Sequence, residues 1–168
     1  MELRENCCFM STSTETIVIE LAGLPATRDL AACLARIVKP GDVIALCGDL
    51  GVGKSELARA FIRALTDESE DVPSPTFTLL QTYESDICDI CHFDLYRLDR
   101  PEEAFELGIE DAFHEAISII EWADRLGSYL PRNRLDILMT KTKGKNHRQV
   151  KLMPHADWSE RLRASGHG

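Results

Sequence analysis

Eight consecutive residues carry the clearest chemistry in the chain: Gly48-Asp49-Leu50-Gly51-Val52-Gly53-Lys54-Ser55 matches GxxxxGK[ST] at every specified position. Glycines let a backbone turn so tightly that successive N–H groups point inward at phosphate oxygens, and a helix beginning there adds its positive end. Lys54 supplies an ammonium for the β and γ phosphates. The Ser55 hydroxyl suits Mg²⁺, which keeps most of its waters and takes few protein oxygens. Such a phosphate-binding loop, or P-loop, needs a second acidic group near the metal, at the end of a neighbouring buried strand. Ala116 to Ile120 is apolar and strand-length, and Glu121 follows it. A carboxylate there is costly to bury unless a cation compensates it, so Glu121 reads as a direct or water-mediated Mg²⁺ partner. Trp122, next to it, either packs under the site or faces a partner.

Two further stretches hold candidate groups. In Cys91 to Leu98, alternation places His92, Asp94 and Tyr96 on one face and Cys91, Phe93 and Leu95 on the other. Either Asp94 orients a water or binds hydrated metal, tuned by His92, or these are solvated residues of an edge strand. In Ser74-Pro75-Thr76-Phe77-Thr78, prolines 73 and 75 stiffen the approach to Thr76. Its hydroxyl is placed either to sense a γ-phosphate, as GTPase switch loops do, or to lead an ordinary turn into a strand.

These groups need a scaffold, and strands alternate with helices along the chain. Ile17 to Leu21 is short and β-branched, a strand. Thr27 is suited to cap a helix running to about Val38, with Leu30, Leu34, Ile37 and Val38 on one face and Pro40-Gly41 ending it. Asp42 to Cys47 is an apolar run of strand length, the pattern of a buried parallel strand, and it leads straight into the P-loop. From Lys54 to Leu65, Leu57, Ala58, Phe61, Ile62 and Leu65 fit a helical period. Leu135 to Thr140 and His147 to Met153 read as a β-hairpin around the basic turn Lys141 to Asn146, and Asp157 to Arg163 as a final short helix. The turn's lysines and Arg148 suit either solvent or an acidic partner or tRNA.

Bulk properties narrow the class. At 168 residues the chain fits one domain, assigned to residues 17–164, with residues 1–16 a polar, poorly ordered tail. Nineteen basic against 28 acidic residues, a net charge of −9, disfavour a surface that itself grips nucleic acid. No apolar run approaches the roughly 20 residues of a membrane span, and the N-terminus lacks a signal-peptide pattern, so a cytoplasmic location is expected. The six cysteines read as reduced thiols. Cys88 and Cys91 form a CxxC without the second pair that a zinc site needs, and read as a loop entering a strand; Cys7 and Cys8 lie in the tail.

With these residues assembled, the chain resembles the TsaE (YjeE) family of small bacterial ATPases of tRNA threonylcarbamoyladenosine biosynthesis. GDLGVGKS at Gly48 to Ser55, SPTFTL at Ser74 to Leu79, HFDLYRL at His92 to Leu98, PEEAFELGIEDAF at Pro101 to Phe113 and IIEW at Ile119 to Trp122 carry the likeness, in family order. The resemblance implies ATP and Mg²⁺ as cofactors, TsaD and TsaB as partners, and modification of adenosine 37 in tRNAs reading codons that begin with A, with tRNA met only through the complex. It places nucleotide contacts on Asp49, Leu50, Gly51, Val52, Gly53, Lys54 and Ser55, and metal contacts on Ser55 and Glu121. Switch, catalytic and partner roles fall on Thr76, Asp94 and Trp122, and Thr27 matches a threonine near the adenosine pocket. The family loop usually ends GKTT; here Ser55-Glu56 follows Lys54, which keeps the metal hydroxyl and adds a negative charge able to project to solvent.

The expected fold is a three-layer α/β P-loop domain: a largely parallel, mixed sheet, helices on both faces and a C-terminal β-hairpin. The expected activity is ATP hydrolysis coupled to tRNA modification. A small-molecule kinase and a non-catalytic nucleotide-dependent binding module are the alternatives.

Overall fold

The apolar run before the P-loop sits at the centre of the molecule. In the computed structural model, which describes residues 15–144 and 146–166, β2 (Val43–Gly48) lies between two parallel neighbours, β5 (Ile117–Glu121) and β6 (Leu135–Lys141). Both faces of β2 are covered, which is why its sequence does not alternate apolar with polar. Ile44 and Leu46 enter one apolar cluster with α1 (Gly23–Ala35), α2 (Lys54–Leu65) and α4 (Trp158–Ala164). Val43, Ala45 and Cys47 enter another, beneath α3 (Ile109–Glu115) and the 3₁₀ segments Pro101–Leu107 and Ala123–Tyr129.

The seven-stranded sheet has the order β1-β7-β6-β2-β5-β4-β3. β4 (Ile90–Asp94) runs parallel to β5, whereas β3 (Leu80–Tyr83) pairs antiparallel with β4. On the other side β7 (His147–Pro154) returns antiparallel on β6 and carries β1 (Ile17–Ala22) antiparallel at the edge. The mixed three-layer fold and the closing hairpin therefore agree with the sequence, and β2 begins one residue later than expected. Among the described residues no helix is long and apolar enough to cross a membrane. The expected tail, with Cys7 and Cys8, lies outside the described residues except for Glu15 and Thr16.

Two expectations require correction. Helix α1 starts at Gly23, not at a Thr27 cap, and ends at Ala35. Gly23, at φ +82°, supplies the left-handed turn out of β1 that a side chain would resist. Pro25 then occupies the first turn, where its missing N–H costs nothing. Thr27 is buried one turn further on and donates to the Gly23 carbonyl at 3.2 Å.

Likewise β4 stops at Asp94 instead of reaching Leu98, so Tyr96 leaves the His92–Asp94 face. The Asp94 Oδ1 accepts the Tyr96 amide at 3.0 Å, a local side-chain bond that competes with the ladder and turns the chain. Nor is β4 an edge strand: it lies between β3 and β5, with His92 and Asp94 buried.

The segment before β2 is anchored by a buried ion pair. Asp42, fully buried, accepts Arg161 Nη1 at 2.6 Å and Nη2 at 2.8 Å, and the Lys39 amide at 2.9 Å. The guanidinium also lies 4.2 Å from the centroid of the buried Trp158 ring. Removing the cation alone would strand a carboxylate in the core. Arg161→Met is therefore expected to lower stability by about 3–5 kcal/mol, and Asp42→Leu added to it to recover much of that loss. Chemical denaturation checks this; a loss below about 1 kcal/mol for the single change would show that the Asp42 carboxylate regains water.

Candidate functional site

The P-loop leaves the end of β2 through a turn that only glycine permits. Gly48 has φ +136°, and a Cβ there would lie 2.4 Å from the Met139 carbonyl oxygen of β6. Gly51 and Gly53, at φ +72° and +117°, complete the reversal into α2. That helix forms because Leu57, Ala58, Phe61 and Ile62 share one buried face, each large side chain contributing roughly 1.5–3 kcal/mol on burial.

Helix α2 starts at Lys54, as expected, and Lys54 folds back over the loop. Its Nζ donates to the Gly48 carbonyl at 2.6 Å and the Asp49 carbonyl at 2.8 Å. The Trp122 ring centroid lies 3.9 Å from the same ammonium, in cation–π contact. Burial pushes the Lys54 pKa down, while the Glu121 carboxylate is the chief group holding it up. Burial leaves Lys54 with little water around it, which strengthens the attraction of its charged form for an incoming anion.

Strand β5 delivers Glu121 beside the loop. Ser55 Oγ donates to Glu121 Oε2 at 2.8 Å, and His92 Nε2 contacts Oε1 at 2.9 Å. The parallel register pairs His92 with Ile119 and Asp94 with Glu121, which brings both β4 side chains up to the acidic strand end. Among the described residues, the buried His92 Nδ1 has no hydrogen-bond partner. A carboxylate only accepts, so the contact places the ring proton on Nε2. Across the cleft, Thr76 Oγ1 donates to Asp94 Oδ2 at 2.8 Å and lies 2.8 Å from Ser74 Oγ.

Lys54, Ser55, Thr76, Asp94 and Glu121 consequently line one open cleft of about 320 Å³ together with Leu50, Gly51 and Gly53. Tyr96 and Trp122 complete its wall, their ring centroids 4.8 Å apart. Asp49 participates through its carbonyl. Thr27 does not join this cleft. It lines a second one, of about 640 Å³, with Gly23, Val52, Gly53, Met139 and Arg148. Glu56 is exposed and borders both clefts, with its carboxylate paired to Arg59 one turn along the helix.

Sequence reasoning did not anticipate that Trp122 covers Lys54. Trp122 has φ +58°, a left-handed conformation that few bulky residues adopt and that no local pattern announces. Arg148 was grouped with the basic turn, yet its Nε donates to the Val52 carbonyl at 2.6 Å. Cys88 precedes β4 and Cys91 lies within it, as expected of a loop entering a strand. Burial pushes both thiols up, away from the thiolate that metal binding requires.

Residues 21–150 match the family model described as threonylcarbamoyl adenosine biosynthesis protein TsaE. The chain belongs to the TsaE family. A curated TsaE relative from Rickettsia felis is 46% identical over 98 residues, 58% of this chain and 57% of that protein, so the match spans little over half of the relative's length. The TsaE protein of Haemophilus influenzae is 36% identical over 132 residues, 77% of this chain and 82% of its own. Among solved structures, the crystal structure of Bacillus subtilis YdiB superposes with a TM-score of 0.77 at 25% identity, covering 93% of this chain and 97% of that one. The TsaE resemblance read from the five sequence motifs is thereby shown, and so is the P-loop fold.

Proposed function

We propose that this chain hydrolyses ATP to ADP and phosphate, and that hydrolysis drives the threonylcarbamoyl modification of adenosine in tRNA with TsaD- and TsaB-type partners in the cytoplasm. The observation that carries this reading is the Ser55–Glu121 contact beneath a P-loop whose lysine, Lys54, faces the same cleft. A hydroxyl and a carboxylate are the donor set of a Mg²⁺ ion completed by waters and phosphate oxygens, so the residues present fit that ion. When bound, it would neutralise charge developing on the β and γ phosphates.

The remaining work falls to side chains of this chain. Loop amides hold the phosphates, and Lys54 exchanges two backbone carbonyls for phosphate oxygens. Asp94 is positioned to orient the attacking water and accept its proton, with Thr76 held at 2.8 Å to report on the γ-phosphate. His92 fixes the Glu121 carboxylate so that its second oxygen stays on Ser55. The second cleft, which holds Thr27, would take the base and ribose. Leu50 and Tyr96 line the first cleft and stand exposed, as does Phe77 beside Thr76, apolar surface suited to a docked partner, which supports a site completed in a complex.

Incubation with ATP, Mg²⁺ and partners tests the reading. ADP with free phosphate is expected, slowly for the chain alone and faster with TsaD and TsaB. A labelled acceptor would make it a kinase, and binding without turnover a switch module. Glu121→Ala is expected to retain nucleotide while losing hydrolysis, because the loop survives and metal placement does not. Undiminished turnover of that variant at saturating Mg²⁺ would remove Glu121 from the metal site.

A further inference from the structure

The Val52–Gly53 peptide sits where the P-loop enters α2. Gly53, at φ +117°, tolerates either orientation of the peptide preceding it, because no Cβ penalises the turned form. Its two faces are chemically opposite. In a trans peptide the C=O and the following N–H point in opposite directions, so one orientation offers phosphate a donor and the other an acceptor. An anion cradle fails if a carbonyl turns into it.

Among the described residues, one side chain hydrogen-bonds to this link from outside the loop. Arg148, 96 residues distant, donates from Nε to the Val52 carbonyl at 2.6 Å. Its Nη1 donates to the His147 carbonyl at 2.9 Å, which braces the guanidinium against its own strand. β7 is in turn registered on both sides, Arg148 opposite Leu21 of β1 and Lys141 of β6. A rigid, planar donor is therefore presented to the loop by the sheet.

We infer that Arg148 is a positioning residue for the phosphate cradle: by holding the Val52 carbonyl outward it turns the Gly53 N–H toward the bound phosphates. The inference rests on the nucleotide-binding reading above and adds to it the device that preorganises the loop. It also separates Arg148 from the exposed lysines 141 and 143 of the hairpin turn, with which its sequence neighbourhood groups it.

Because Arg148 also borders the second cleft, a direct contact with base or ribose is the competing role. Titration of wild type, Arg148→Ala and Arg148→Lys with ATP and with inorganic tripolyphosphate separates them, since tripolyphosphate has neither base nor ribose. Arg148→Ala is expected to weaken both ligands by the same factor, about tenfold for one hydrogen bond's worth of organisation. Arg148→Lys, which keeps a donor, should recover part of it. The Gly53 amide resonance, assigned without nucleotide, should shift in Arg148→Ala and move back toward its wild-type position in Arg148→Lys. Loss of ATP affinity with unchanged tripolyphosphate affinity would assign Arg148 to the nucleoside, and wild-type affinity together with an unmoved Gly53 amide would overturn the inference outright. If wild type bound neither ligand, the nucleotide reading itself would fail, while the Gly53 resonance would still decide what Arg148 does to the loop.

Discussion

Lys54→Ala should bind ATP about 100-fold more weakly than the wild-type chain while keeping its fold. The ammonium is buried and faces a cleft whose other charged side chains include the carboxylates Asp94 and Glu121, so an incoming triphosphate meets few alternative cations. Hydrogen bonds to charged groups contribute about 1.5–3 kcal/mol, and the upper end, fitting a desolvated lysine, corresponds to roughly two orders of magnitude in affinity. The substitution also frees the Gly48 and Asp49 carbonyls and leaves Trp122 without its cation, but Asp49 is exposed, Gly48 partly so and Trp122 lines the open cleft, so water can meet them. Stability should therefore change far less than affinity. Calorimetric titration alongside thermal unfolding checks both, and an unchanged dissociation constant in the folded variant would mean that the loop binds without its lysine.

Asp94→Asn carries the second large effect, and it falls on rate. Lost general-base catalysis typically costs about 10²–10⁴-fold, and in the proposed mechanism the Asp94 carboxylate is the group that takes a proton from water. Its two oxygens hold Thr76 and the Tyr96 amide. An asparagine can keep both contacts, accepting from Tyr96 with its oxygen and donating to Thr76 with its nitrogen, so the turn that ends β4 survives. The expected result is near-normal ATP binding with turnover depressed at least 100-fold, even in the presence of partners. A wild-type rate in the reconstituted complex would reduce Asp94 to a structural residue. Fast hydrolysis by the wild-type chain alone would instead remove the reason to invoke a completing partner.

What could be read from the sequence was what short range determines. Lys54–Leu65 was legible to the residue because a glycine turn precedes it and its apolar positions keep one period. β2 was legible because burial on both faces leaves no polar positions to interrupt it. Tyr96 was misplaced because alternation continues on paper after Asp94 has turned the chain with its own side chain. Thr27 looked like a cap because its residue type favours caps, whereas the helix had already begun at a glycine. The burial of His92 followed from β4 gaining neighbours on both sides, and strand order is not written in any one strand. Arg148 reaches the loop across 96 residues of chain, a contact that exists only once β7 is registered between β1 and β6.

The seat of Trp122 has an optical consequence. The chain holds two tryptophans, and Trp158 is buried under Arg161, whose partner Asp42 precedes β2, while the loop follows that strand's other end. Trp122 shares its ring face with the Lys54 ammonium, so if phosphate draws that ammonium away, as proposed, the field across this indole should change while the other is left undisturbed. On the proposed reading, filled and empty protein should then differ in intrinsic emission, and the chain would carry its own dye for following nucleotide arrival and departure in real time, with no label attached.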